Sequence, residues 1–368
     1  MPTLLPMFRA VPMLLAIAIV ADGRLSSAVA EGLRTGDTVE GRLQGKRVDG
    51  VVLGSSPQQV QLLGRDGWLW LLDPNQAGSL TKTTSSFRPY SPSVLRNELL
   101  REVSRDYEVS GTGHYLVIYP RGQRDKWADR FEDLYRCFVH YFSVRGFEVA
   151  TPAFPLVGFV CKNRSEFDRI AAAQKSVPSG IQGYYSNVSN RITLYDMGGG
   201  NSANWAQNAS VLIHEATHQT AFNTGIHNRY SPPPNWVCEG LATMFEAPGV
   251  YDSRNHPQAA DRVNRYRLRD FGKFVVARHR PEVIAWIVAS DDLFQANPAA
   301  AYAEAWAMTF FLVETQPRKY AEYLKRTASH KPFHQCTASE RTADFTAIFG
   351  NDWRMLEAQF LRFMAGVK

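Results

Sequence analysis

The five residues His214-Glu215-Ala216-Thr217-His218 constrain this chain more than any other stretch. On a helix, positions i and i+4 lie on one face, one turn apart. His214 and His218 therefore point the same way, and two imidazoles so placed can hold one zinc ion. Glu215 sits at the edge of that face, where it can act as a general base on water. The bland alternative is a surface helix with a coincidental pair of histidines. The flanking sequence decides between them.

A catalytic zinc site takes three protein ligands and keeps one position open. The stretch Trp236-Val237-Cys238-Glu239-Gly240-Leu241-Ala242 sets an acid in otherwise apolar surroundings. A buried carboxylate without a partner is costly, and a zinc ion would be that partner. Gly240 and Ala242 are small, which suits close approach of this helix to the one carrying the histidines. A structural zinc site would be closed by four protein ligands, and no convincing fourth stands out.

With 368 residues, 45% hydrophobic and 21% charged, the chain has room for two or three domains and no compositional bias to disorder. The net charge of +6 comes from scattered Lys and Arg without a long basic run. That predicts a solvated surface and no nucleic-acid partner. Arg9, the apolar run Ala10 to Ala21 and the small-residue site Ala28-Val29-Ala30 read as a cleaved signal peptide over residues 1–30. The chain is thus expected to be secreted, or placed in the periplasm or cell envelope; an uncleaved anchor is the alternative. No other stretch reaches the length of a membrane helix, so no membrane span is expected in the mature chain. Cys137, Cys161, Cys238 and Cys336 form no C-x-x-C pair, and no disulfide is predicted among them.

Residues 31–85 read as a small β module. Short β-type runs at Thr38–Leu43, Val51–Leu53, Val60–Leu63 and Trp68–Leu72 are separated by turn residues, a spacing that suggests an SH3-like barrel. Such a module is either a binding unit or a packing appendage. Residues 76–92 read as a linker, and Ser93 to Val109 as a helix, so that 86–104 is linker and helix. From 105 the pattern is mixed: strands at 114–119, 156–160 and 190–195, with helices at 126–142 and 164–174. The aromatic stripe Trp127, Phe131, Leu134, Tyr135, Phe138 and Tyr141 is a core face. A Gly-rich turn at 198–200 leads into a helix from Ala203 to Phe222, with Gly225 as its stop. Pro232-Pro233-Pro234 pre-sets a second helix, Asn235 to Phe245. The remainder reads as helices at 262–279, 281–289, 299–314, 318–329 and 352–364.

His214-Glu215-x-x-His218, with Glu239 twenty-one residues later in a W-x-x-E-G-L-A context, resembles the gluzincin metallopeptidases. The wider chain, over about 105 to 368, looks like the DUF1570 branch of that superfamily. The matching stretches are His114–Val117, Arg145-Gly146-Phe147, Gly183 to Asp196 and Tyr302 to Leu312. The resemblance implies an α+β fold: a gluzincin-type zincin domain with a mixed sheet (105–200) and a mainly helical part holding a zinc site (201–368). It implies that His214, His218 and Glu239 bind Zn2+, that Glu215 is the catalytic base, and that a peptide or protein is the substrate. It also implies that strand 190–195 lies beside the cleft as an edge strand, pairing with extended substrate. Tyr302 is the candidate oxyanion donor, as aminopeptidase-like gluzincins place a tyrosine in a later helix; a core tyrosine is the alternative. Glu246, seven residues after Glu239, can orient a ligand histidine or be a solvated acid. Thr243 departs from the aspartate that thermolysin-like members carry four residues after the glutamate. His227 reads as an ordinary loop histidine. The competing functions are a catalytically silent gluzincin-like protein that binds peptides or envelope material, and an envelope interaction protein with structural zinc. The intact Glu215 argues against the first, since binding needs no base.

Overall fold

The computed structural model describes residues 33–43, 45–174, 177, 180–197, 205–276 and 282–368. The expected signal peptide, the Gly-rich turn at 198–200 and the first residues of the histidine helix lie outside the described residues. So do the end of the helix expected at 262–279 and Pro281, the start of the next. The chain contains two five-stranded sheets, with helices packed mainly on the second.

The first sheet is an antiparallel meander. Strands β1 (Thr38–Leu43), β2 (Lys46–Ser55), β3 (Val60–Gly64) and β4 (Leu69–Leu72) follow in sequence, and β5 (Thr81–Thr83) pairs back onto β1, giving the order β4-β3-β2-β1-β5. A one-turn helix, α1 (Pro74–Gly78), reverses the chain before β5; its Asp73–Gln76 capping box holds that turn. Residues 81–83 are thus a strand, although their Thr-rich composition reads as linker. Pairing with β1 supplies the ladder partners that the local sequence cannot reveal. Val39, Val52, Val60, Leu62 and Leu72 fill the inner face.

The helix expected from Ser93 to Val109 ends early. It is α2 (Pro92–Glu102), and β6 (Tyr107–Gly111) follows after a turn. Tyr107 and Val109 are buried while Glu108 and Ser110 between them are only half-buried, an alternation of period two that marks a strand. The second sheet continues through β7 (Tyr115–Pro120), helix α3 (Arg124–Ser143), β8 (Leu156–Cys161), α4 (Arg164–Ala172), β9 (Gly183–Ser186) and β10 (Arg191–Tyr195). Its order is β6-β7-β8-β10-β9. β7, β8 and β10 run parallel, and the two outer strands are antiparallel to their neighbours. The parallel strands are covered on both faces, so they read as nearly continuous apolar runs. Tyr115 and Val117 of β7 pack on one side with Trp127 and Phe131 of α3. Leu116 and Ile118 pack on the other with Leu95 and Leu99 of α2.

The strand at 190–195 is therefore not an edge. β10 is flanked by β8 and β9 and has no free side; the antiparallel β9 is the edge. The chain reverses at Asn190, which takes a φ of 59°. Asn has the short polar side chain that best tolerates that left-handed conformation.

The rest of the chain is helical. α5 (Trp205–Asn223) stops before Gly225, whose φ is 82°. α6 (Asn235–Phe245) starts after Pro234, and α7 is Pro248–Tyr251. The long helix expected from 262 is instead a 3-10 turn (Ala259–Arg262), α8 (Arg265–Asp270) and a π turn (Phe271–Val275). Then come α9 (Val283–Ala289), α10 (Asp292–Ala296), α11 (Pro298–Thr315), α12 (Pro317–Ala328), α13 (Ala338–Phe349) and α14 (Trp353–Ala365). α11 is the axis of this half: every residue from Ala300 to Leu312 is buried. α6 is buried from Trp236 to Phe245 and lies between α5 and α11. Gln219 of α5 anchors that layer to the sheet, its amide donating to the carbonyls of Val157 and Asn190.

Arg229, in the loop after α5, joins the two sheets. Its buried guanidinium donates to the carbonyls of Asn187, Gly67 and Val188 at 2.7, 2.7 and 3.0 Å. Hydrogen bonds from a charged donor contribute about 1.5–3 kcal/mol, and removing the donor leaves buried carbonyls unpaired. Arg229→Ala is expected to lower stability by about 2–3 kcal/mol. Urea unfolding checks this: an unchanged midpoint means the three bonds are replaced by water at no loss.

Candidate metal centre

The α-helical spacing of His214 and His218 puts both rings on the face of α5 that meets α6. Their Nε2 atoms are 3.1 Å apart. From α6, Glu239 Oε2 lies 3.2 Å from His214 Nε2 and 3.5 Å from His218 Nε2. All three side chains are buried. Gly240 faces α11, not the histidine helix that its small size suggested, and it lets α6 pack closely there. A Cβ there would meet Thr309 Oγ1, and would stand 2.5 Å from the Ala305 carbonyl oxygen of α11.

Three donor atoms spaced 3.1–3.5 Å apart fit a zinc ion. Ligands at about 2.0–2.1 Å in tetrahedral geometry stand about 3.3 Å from one another. The tautomer of His214 also fits. Its Nδ1 faces Glu246 Oε1 at 2.8 Å. A carboxylate can only accept, so Nδ1 carries a proton there, and Nε2, which faces Glu239, is the nitrogen that a metal would take in place of its own proton. Glu246 is held in turn by the Asn264 amide at 2.9 Å, and Asn264 also donates to the Thr243 carbonyl. His218 Nδ1 has no hydrogen-bond partner among the described residues.

The electrostatics ask for a cation. Glu215, Glu239 and Glu246 converge on the two imidazoles. Burial pulls the His214 pKa down, but hydrogen bonds to Glu239 and Glu246 outweigh it and hold it up at about 10. Burial raises Glu239, yet the two histidines bring it well below the usual carboxylate range. Glu246 is likewise raised by burial and lowered further by His214, Arg267 and Asn264. A carboxylate cluster at this depth is stable only beside positive charge.

Glu215 differs from the other two acids. Burial raises its pKa and the Glu239 charge adds to that, while the histidines and a hydrogen bond from the Tyr185 backbone oppose. It is partly exposed, unlike the three metal-type donors. The Tyr185 contact places it beside β9, so the sheet edge at this site is β9 and not the strand at 190–195.

Tyr302 of α11 lies within the same layer. Its ring centroid is 6.3 Å from that of His214, and the Arg267 guanidinium stands 5.0 Å above it. Its buried hydroxyl lies beside the Glu239 carboxylate, and burial together with that charge pushes its pKa well above the ordinary value. Thr243 does not replace the missing aspartate. Its hydroxyl bonds back to the carbonyls of Glu239 and Gly240. His227 is buried against Phe222, and burial with the neighbouring His218 charge lowers its pKa to about 3. Asn264 and Arg267 were not legible as site residues. Asn264 has the signature of a helix cap, which it also is, and Arg267 reads as one of several arginines on a short helix.

Residues 208–334 match a family described as "Protein of unknown function (DUF1570)". The matched segment holds α5 from Asn208 onward, α6 and Tyr302, and so the whole donor set. No curated protein matches the chain. Among solved structures the chain is similar to the M60 catalytic domain of ZmpC from Clostridium perfringens, in complex with the sialyl T antigen. Identity is 12%, the TM-score is 0.39, and the alignment covers 92% of this chain and 68% of that one. No helix among the described residues is long and apolar enough to cross a membrane.

Proposed function

We propose that the protein is an exported zinc metallopeptidase with a gluzincin-type site. The observation that carries this reading is the triangle of His214, His218 and Glu239, with Glu215 one residue along the same helix. His214, His218 and Glu239 would hold the zinc ion. When bound, that ion supplies Lewis acidity: it acidifies water and polarises a carbonyl oxygen.

The remaining work falls to the chain's own residues. Glu215, with its raised pKa, takes a proton from the attacking water and delivers it to the leaving amine. Glu246 holds His214 in the Nδ1–H tautomer and so fixes the ring. The Tyr302 hydroxyl, beside Glu239, donates to the oxyanion that develops at the scissile carbonyl. The edge strand β9 offers its free side to an extended peptide beside Glu215. The N-terminal unit is an SH3-like module in this proposal; support comes from its meander and from the short helix that precedes the last strand.

Metal analysis of the purified, untagged full chain tests the reading, paired with cleavage of a mixed peptide library. One zinc at this site, lost in His218→Ala together with cleavage, is the expected result. Chelation with EDTA is expected to lower the unfolding temperature, and added Zn2+ to restore it. At a hundredfold excess over Kd the ion stabilises by about 2.7 kcal/mol. A full chain that holds no stoichiometric zinc, or that unfolds identically with and without EDTA, refutes the assignment.

A further inference from the structure

The loop between α12 and α13 gathers a second set of metal-type donors. His330, His334 and Cys336 each place one donor atom within 4.8 Å of the other two, and all three residues are half-buried. They lie in an irregular segment, so helical spacing does not align them. Phe333 does. Its φ of 65° is a left-handed conformation that a bulky residue rarely adopts. The reversal lays the His334 ring alongside that of His330, with centroids 5.6 Å apart and planes 25° from parallel.

The loop is tied down on its other side. The Phe333 N–H donates to the Tyr230 carbonyl at 2.6 Å, and the two rings pack together. The Asn228 amide donates to the carbonyls of Ala328 and His330, and the Ser231 hydroxyl to that of His334. Tyr230, Asn228 and Ser231 all belong to the connection between α5 and α6. The donor loop therefore grips the segment that sets those two helices against each other.

Each imidazole also meets a carboxylate. His330 Nε2 is 2.7 Å from Asp344 Oδ2, and His334 Nε2 is 3.0 Å from Glu340 Oε1. Both acids are already engaged, Asp344 with Arg326 at 2.6 Å and Glu340 in the Thr337 capping box of α13. They can orient the rings and fix the ring proton, which leaves the other nitrogen of each ring with its lone pair. Two imidazoles and a thiol form a donor set that suits borderline-soft zinc and not magnesium or calcium.

We propose that His330, His334 and Cys336 form a second zinc site, with one thiolate ligand and a fourth position left to water, on the loop that grips the connection between α5 and α6. This inference does not rest on the peptidase reading, and the two are separable by experiment. The untagged full chain, loaded with Zn2+ and desalted, is expected to hold two zinc ions. Cys336→Ser and His214→Ala are each expected to hold one. With Co2+ as the probe, a thiolate-to-cobalt charge-transfer band is expected in the near ultraviolet for the wild type and for His214→Ala. It should vanish in Cys336→Ser, since the first site has no sulfur ligand. Far-UV circular dichroism checks that each variant is folded. The wild-type cobalt spectrum stands as a test by itself should Cys336→Ser fail to fold. The proposal is overturned by a cobalt-loaded wild type without that band, or by a folded Cys336→Ser that binds as much zinc as the wild type. Loss of peptide cleavage with the band intact would sink the peptidase reading and leave this one standing.

Discussion

Glu215→Gln is expected to lower peptide cleavage by about 10²–10⁴-fold, the range a positioned general base supplies. That is a loss of about 3–5 kcal/mol in transition-state stabilisation. Zinc content and the unfolding midpoint should stay at wild-type values. The reason is division of labour around one cluster. His214, His218 and Glu239 face one another across 3.1–3.5 Å and are buried, whereas Glu215 is partly exposed beside β9. Gln has the same shape, so the Tyr185 backbone contact and the packing survive, but an amide cannot take up a proton at neutral pH. Steady-state kinetics on a cleaved library peptide, with metal analysis of the same sample, checks this. A variant that keeps zinc and also keeps its cleavage rate removes Glu215 from the mechanism. One that loses zinc shows that Glu215 helps to hold the site.

Gly240→Val should damage both stability and the metal centre. The glycine lies between Glu239 and Leu241 on a helix buried along its length. A Cβ at this position would already overlap Thr309 and press on the Ala305 carbonyl. Both obstacles are parts of α11, and the Ala305 backbone cannot swing aside as a flexible side chain can. Relief requires α6 and α11 to separate, and that motion carries Glu239 off its position against the histidines. Overpacking of this kind is expected to cost about 3 kcal/mol, at the upper end of the usual range. Zinc affinity should fall at least about tenfold, as it does when the support of a ligand is disturbed. Denaturant unfolding of the EDTA-treated protein reads the packing loss alone, and zinc titration reads the site. A metal-free stability equal to wild type would mean that the helices part without strain. Affinity unchanged despite lower stability would mean that Glu239 is positioned independently of α11.

The same residues separate what is written locally from what is not. The span of α6, Asn235 to Phe245, could be read directly from the Pro run before it and its apolar sequence. Gly225 reads as a stop because a left-handed residue after a helix favours glycine. The two histidines needed only helical periodicity to share a face. By contrast, β5 looks like linker until β1 pairs with it, and the end of α2 is hidden locally because Tyr107 and Val109 fit either period over so short a stretch. Which strand is the edge could not be read from residues 183–195 at all. Both strands are apolar, and only the order β8-β10-β9 leaves β9 open.

By itself the sequence determined the periodic features: the helix that aligns His214 and His218, the small residues that flank Glu239, and the strand-rich start against a helical end. Those follow from geometry that repeats every two or 3.6 residues. Tertiary structure alone decided the convergences. It brought Glu246 to His214 Nδ1 with Asn264 behind it, set Tyr302 under Arg267, turned β9 toward Glu215, and folded His330, His334 and Cys336 onto the connection between α5 and α6. Each of these depends on where separate elements pack, and packing distance between elements leaves no period in the chain.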